Sequence, residues 1–139
     1  MTKVDFYILN TGSQEQLACK LVEKAYSLGH RIYIHTANEA QAKHMDELLW
    51  TYSPGSFLPH QRYRPGEQAD SPIVVGSAEA PETDSEVLVN LAPAVPLFFS
   101  RFLRVAELVA PNDQAKQQGR ERFRFYRDRG YPLDSHTLG

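Results

Sequence analysis

At 139 residues, with 42% hydrophobic content and a formal net charge of −2, the chain has the length of one domain with a proper core. No apolar run approaches the roughly 20 residues that span a bilayer. The opening MTKVDFYILN lacks a signal-peptide layout, and near-neutral charge argues against a protein that simply coats nucleic acid. A single cysteine, Cys19, forbids an intramolecular disulfide, and the cytoplasm is the expected compartment.

Residues 4–9, VDFYIL, predict a central strand. Ser13 and Gln16 match a capping box, and the helix they open is expected to turn Leu17, Leu21, Ala25 and Leu28 inward before Gly29 ends it. Residues 31–36, RIYIHT, predict a second strand, after which Asn38 and Gln41 repeat the capping pattern ahead of Met45, Leu48 and Leu49. Residues 50–66, WTYSPGSFLPHQRYRPG, hold three prolines and four aromatics without a period, so they read as a loop too apolar to be wholly solvated. Residues 73–76, 87–91 and 103–109 predict three more strands, with a short helical turn in the apolar stretch 93–102. The expectation is one α/β domain over residues 1–139. It is three-layered, α/β/α, around a mainly parallel five-stranded sheet, with residues 131–139 as a mobile tail.

The last predicted helix, residues 112–130, stands apart electrostatically. Asn112 caps its start and Gly130 its end. Between them the charge is +3, leaving −5 for the rest of the chain. Arg120, Phe123, Arg124 and Arg127 share one stripe at i, i+3, i+4 and i+7, with Phe125 roughly opposite. Two meanings fit this spacing, and periodicity alone does not choose between them. One is a solvated face whose arginine stems cover apolar surface; the other is an anion-binding face, since a guanidinium donates two parallel hydrogen bonds to a carboxylate or phosphate.

Catalytic patterns are missing. The loop at residues 10–13, NTGS, has one glycine and no lysine, which fits neither dinucleotide nor phosphate-loop motifs, so Ser13 reads as a cap. The five histidines are scattered and none pairs with Cys19 at a metal-binding spacing, so no metal is expected. Glu79, Glu82, Asp84 and Glu86 read as solubilising charge on a link, and Cys19 as a small buried hydrophobe. No enzyme activity and no cofactor are expected.

Four segments, in this order and spacing, resemble the chi subunit family of bacterial DNA polymerase III: DFYIL, DELLWTYSPGSFLPH, EVLVNL with its Phe-rich turn, and GRERFRFYRDRGY. The resemblance covers nearly the whole chain. It implies a non-catalytic adaptor that forms a heterodimer with the psi subunit and so joins the clamp loader to the acidic C-terminal tail of single-stranded-DNA-binding protein. It further implies indirect DNA contact and no membrane association. Carried over by position, Trp50 and Phe57 would face psi, and Val109, Arg120, Phe123 and Arg124 would bind the tail, with Arg127 added by its place on the helical stripe. Two departures from the family stand out. Gly119 costs up to about 1 kcal/mol relative to alanine in a helix and is expected to soften that turn, and Phe123 stands where the family can carry tyrosine. The alternative is direct single-stranded nucleic-acid binding, with Arg122, Arg124, Arg127 and Arg129 on phosphates and Phe123 or Tyr126 stacked on bases.

Overall fold

The apolar runs and caps become seven strands and three α-helices in the computed structural model, which describes residues 1–52, 55, 57–82 and 86–139. In chain order these are β1 (Lys3–Leu9), α1 (Gln14–Ser27), β2 (Ile32–His35), α2 (Glu39–Thr51), β3 (His60–Arg62) and β4 (Ile73–Gly76). Then come β5 (Val87–Asn90), a single 3-10 turn (Phe99–Arg101), β6 (Arg104–Val109), α3 (Asp113–Asp128) and β7 (Leu133–Leu138). At the first two helices the N-cap half of each expected box forms, but the return bond differs: Gln41 Oε1 accepts from Ala37 N at 2.8 Å, and among the described residues none joins the Gln16 side chain to Ser13 N. Ser13 Oγ accepts from Gln16 N at 3.2 Å and Asn38 Oδ1 from Gln41 N at 2.8 Å. Ser53, Pro54 and Ser56 of the aromatic loop, and Asp84 of the acidic link, lie outside the described residues.

All strand pairs are parallel, in the order β3-β4-β2-β5-β6-β1-β7. The expected five strands are therefore corrected to seven, and both additions are edges. A central strand of a parallel sheet is buried on both faces and needs a continuous apolar run; an edge strand needs only backbone pairing on one side. His60–Arg62 and Leu133–Leu138 lack that run and are polar enough to pass for loop. The expected mobile tail is likewise corrected, because residues 133–138 pair with β1 from Val4↔Leu133 to Leu9↔Leu138.

Strand alternation divides the core in two. Ile32, Ile34, Ile73, Val75, Val89 and Leu108 pack with Ala18, Cys19 and Val22 of α1 and Ala42, Met45 and Leu49 of α2. Tyr33, Val74, Leu88, Val4, Phe6, Val105 and Val109 pack instead with Tyr126 of α3 and with Phe99 and Phe102. Leu28, expected inward, is 67% exposed because it sits at the C-cap, past the last turn that α1 lays on the sheet.

This topology places α3. The chain leaves β6 and must reach β7, but β1 lies between them. The helix therefore crosses β6 and β1, and the side chains of those strands form the floor beneath it.

Candidate functional site

Helix α3 starts where Asn112 Oδ1 accepts from Ala115 N at 2.8 Å, and the chain turns away at Gly130, whose φ of 78° suits a residue without a Cβ. Its inner face is held by a polar knot. Glu107 on β6 is fully buried and receives Arg122 Nε at 2.8 Å, Asn90 Nδ2 at 2.9 Å and the Tyr126 hydroxyl at 2.7 Å. Removal from water pushes this carboxyl upward, and Arg122, Tyr126 and Asn90 oppose that. All of these partners donate, so the hydrogen-bond pattern is that of the carboxylate. Arg122 also donates to Pro93 O at 2.8 Å, and Asn90 to Ala94 O at 3.1 Å, tying the loop after β5 to the same knot. These bonds hold Arg122 and Tyr126 on the sheet side of α3 and so favour one rotation of the helix about its axis.

That rotation sends the other stripe outward over a groove of about 460 Å³. Phe6 and Ile8 of β1 and Val109 of β6 lie beneath, with Ser135 of β7 on the far side. On the helix side stand Phe123 and four cations, Lys116, Arg120, Arg124 and Arg127, and among the described residues no carboxylate lines the space. Phe123 is half-buried, its ring edge-on to Phe6 at 5.3 Å between centroids. Arg124 is exposed and makes no hydrogen bond or ion pair among the described residues, and Arg120 is engaged only by Gln117 at 2.8 Å. Arg127 has the neighbouring Asp128 at 3.1 Å. The arrangement offers an apolar seat beside several available cations. Val109, Arg120, Phe123, Arg124 and Arg127 are thus gathered around one space.

Trp50 and Phe57 lie elsewhere. Trp50 is 55% and Phe57 69% exposed, and their rings stand 5.9 Å apart. Trp50 also leans on the His60 ring at 4.2 Å. His60 is buried, with Nδ1 2.6 Å from Leu58 O and Nε2 3.0 Å from Asp46 O. The loop is therefore two-sided: Leu58, His60 and Tyr63 are buried under it while Trp50 and Phe57 face solvent.

Residues 1–134 match the family model described as DNA polymerase III chi subunit, HolC. The chain belongs to the DNA polymerase III chi subunit family. It is 40% identical to the DNA polymerase III subunit chi of Pseudomonas aeruginosa, covering 99% of this chain and 98% of that one. With the subunit chi of Haemophilus influenzae identity is 32%, over 96% of each. Among solved structures the fold is similar to that of T4 UvsW, with a TM-score of 0.72 over 98% of this chain but 41% of that one, at 10% identity. That last likeness concerns the fold alone. The family membership makes this chain an accessory subunit of a replicative polymerase.

Other places for chemistry in this chi-family chain are poorly equipped. Burial pushes the Cys19 thiol up to about 12, so it stays protonated. A larger cleft, about 730 Å³, opens at the carboxyl ends of β2, β4 and β5, but apolar residues 92–98 form much of its wall. Its arginine, Arg101, already donates to Ala80 O at 3.0 Å. Among the described residues no cluster of three or more metal-binding side chains occurs, and no helix is long and apolar enough to cross a membrane.

Sequence reasoning missed five residues of the groove: Phe6, Ile8, Lys116, Gly119 and Ser135. Lys116 lies four residues before Arg120, so extending the stripe by one turn finds it. Ser135 was hidden by taking its strand for a tail.

Proposed function

We propose that this chain is a non-catalytic adaptor of the DNA polymerase III holoenzyme, linking the clamp loader, through psi, to the acidic tail of single-stranded-DNA-binding protein. What supports this most is the convergence of Val109, Arg120, Phe123, Arg124 and Arg127 on one groove. An acidic peptide ending in an aromatic residue needs cations for its carboxylates and an apolar seat for its ring. The groove offers both within one cavity, while Trp50 and Phe57 make an exposed aromatic pair of the kind that anchors protein partners. The division of the helices between two core clusters supports an α/β/α layering for the adaptor.

Direct nucleic-acid binding is the weaker reading. Of the residues it needs, Arg122 is 5% exposed and bound to Glu107, Tyr126 is fully buried, and Arg129 lies 3.5 Å over the Phe125 ring. Of its four arginines, Arg124 and Arg127 remain for phosphates, beside Lys116 and Arg120 of the same groove. Of its two stacking rings Phe123 alone is accessible, and that ring is half-buried against Phe6, which leaves no platform for successive bases.

The test is a titration of the intact protein with an acidic peptide ending in Phe, as free acid and as C-terminal amide. The free acid should bind more tightly, and binding should weaken with salt. Arg124→Ala should weaken it several-fold to tenfold with unchanged circular dichroism, since charge-assisted hydrogen bonds contribute about 1.5–3 kcal/mol before solvent screening. Equal binding by Arg124→Ala would remove the groove from the interface. Tighter binding to an oligothymidylate than to the peptide would favour the nucleic-acid reading.

A further inference from the structure

The groove's far wall is also an unpaired sheet edge. Val4 N donates to Pro132 O at 2.9 Å and Asn10 N to Leu138 O at 2.8 Å, so the carbonyls of 132 and 138 face β1. In a parallel ladder a residue turns its N–H and C=O to the same side, and the side alternates along the strand. Residues 134 and 136 therefore face β1 as well. Leu133, Ser135 and Thr137 turn their backbone groups outward, where no further strand is present among the described residues. The same parity puts the side chains of these three residues on the α3 side of the sheet, where Leu133 packs against the second core cluster and Ser135 lines the groove. The open donors and acceptors thus border the cationic groove directly.

We propose that the edge of β7 takes the residues preceding the ring of an acidic peptide as an eighth strand, paired to the backbone of Leu133, Ser135 and Thr137. The inference rests on the groove being an acidic-peptide site. Side-chain contacts in the groove hold the end of the peptide, and the strand edge holds its main chain, a recognised way for an extended segment to gain affinity. Exposed edges are usually blunted by charged side chains, lysine above all, by proline or by a bulge. The one carboxylate of β7, Asp134, is paired with Lys3 and lies on the face away from the groove. The sequence LDSHTL has neither lysine nor proline, and its pairing with β1 runs without interruption over all six residues. A second copy of this chain is the competing occupant. Edge-to-edge pairing at about 4.8 Å between strands would crowd two sets of Lys116, Arg120, Arg124 and Arg127 together, and like charge disfavours it. An acidic strand meets that field with opposite charge.

The experiment scans the acidic, Phe-ending peptide with single backbone N-methyl groups and titrates each variant into the wild-type protein. A paired strand requires alternation: methylation at every second amide should weaken binding roughly fivefold per bond lost, and at the intervening amides little. Amide hydrogen exchange on the same complex should slow at Leu133, Ser135 and Thr137, whose N–H groups donate no hydrogen bond among the described residues of the unbound protein. A flat methylation profile with unprotected amides, in a wild-type protein whose binding Arg124→Ala still weakens, overturns the edge pairing and leaves the groove assignment standing. Failure of the wild-type protein to bind the unmodified peptide overturns both. Protection of the three amides that rises with protein concentration, in the absence of peptide, would assign the edge to a second copy instead.

Discussion

A methyl group placed on Gly119 would stand 2.9 Å from Cγ2 and 3.1 Å from Cγ1 of Val109. The glycine is therefore not a soft spot in α3 but a point where the helix backbone lies close against β6. Because valine is stiff about χ1, it has little freedom to yield. Gly119→Ala sets two effects against each other. Helix propensity favours alanine by about 1 kcal/mol, whereas overpacking a tight contact costs about 1–3 kcal/mol. The second should win, so urea unfolding should show a net loss of stability, and peptide affinity should fall as α3 is lifted off the groove floor. Combining it with Val109→Ala removes the clash, so the double variant should be more stable than the sum of the two single effects. A Gly119→Ala protein more stable than wild type would show that the helix is free to shift.

How far the sequence revealed this molecule depends on where each element sits. The inner strands were legible because burial on both faces demands continuous apolar runs such as IVVG and VLVN, and the helices because Ser13, Asn38 and Asn112 cap them. Edge strands carry no such demand, and β3 and β7 were lost for that reason. In the site, the helical stripe identified the exposed arginines but not the buried one. Arg122 looked like its neighbours, and only the parity of β6, which brings Glu107 beneath it, separates it from them. Nothing local in LRVAELV announces that its glutamate points into the core.

Asp5 gives the β1–β7 pairing a pH dependence. It lies on the face of β1 away from α3, 6% exposed, with Arg104 Nη2 at 2.6 Å, His136 Nε2 at 3.2 Å and Lys3 Nζ at 3.6 Å. Burial raises its carboxyl, but hydrogen bonds from Arg104 and His136 and the charge on Lys3 outweigh that and hold it below the ordinary value of 3.8. A depressed folded-state value means the unfolded chain binds the proton first as pH falls. The stabilisation from Asp5 is complete above the ordinary value and is lost below it, on passing through the lower folded one. Asp5→Asn should therefore be less stable than wild type at neutral pH, with the gap closing in strong acid. Denaturation midpoints measured from about pH 7 down to about pH 2 check this. A gap of constant size across that range would mean the loss is one of packing and not of charge.

The two exposed surfaces should be separable by mutation. Trp50 and Phe57 lie beside β3, and the cationic groove borders β7, so the whole sheet stands between them. Six interstrand spacings of about 4.8 Å put roughly 29 Å between those edges, well beyond the reach of direct coupling. Phe57 is 69% exposed, so Phe57→Ala leaves little cavity and should fold normally by circular dichroism. If the aromatic pair anchors psi, the truncation should weaken that heterodimer by about 2 kcal/mol or more, near thirtyfold, and leave affinity for the acidic peptide unchanged. Arg124→Ala should do the reverse, because its charge lies at the other end of the sheet and is screened by salt over that distance. Both partners can be titrated against both variants in one buffer. A folded Phe57→Ala protein that loses the acidic peptide and keeps psi would exchange the two assignments. Loss of both partners in either folded variant would mean that the surfaces are coupled through the sheet.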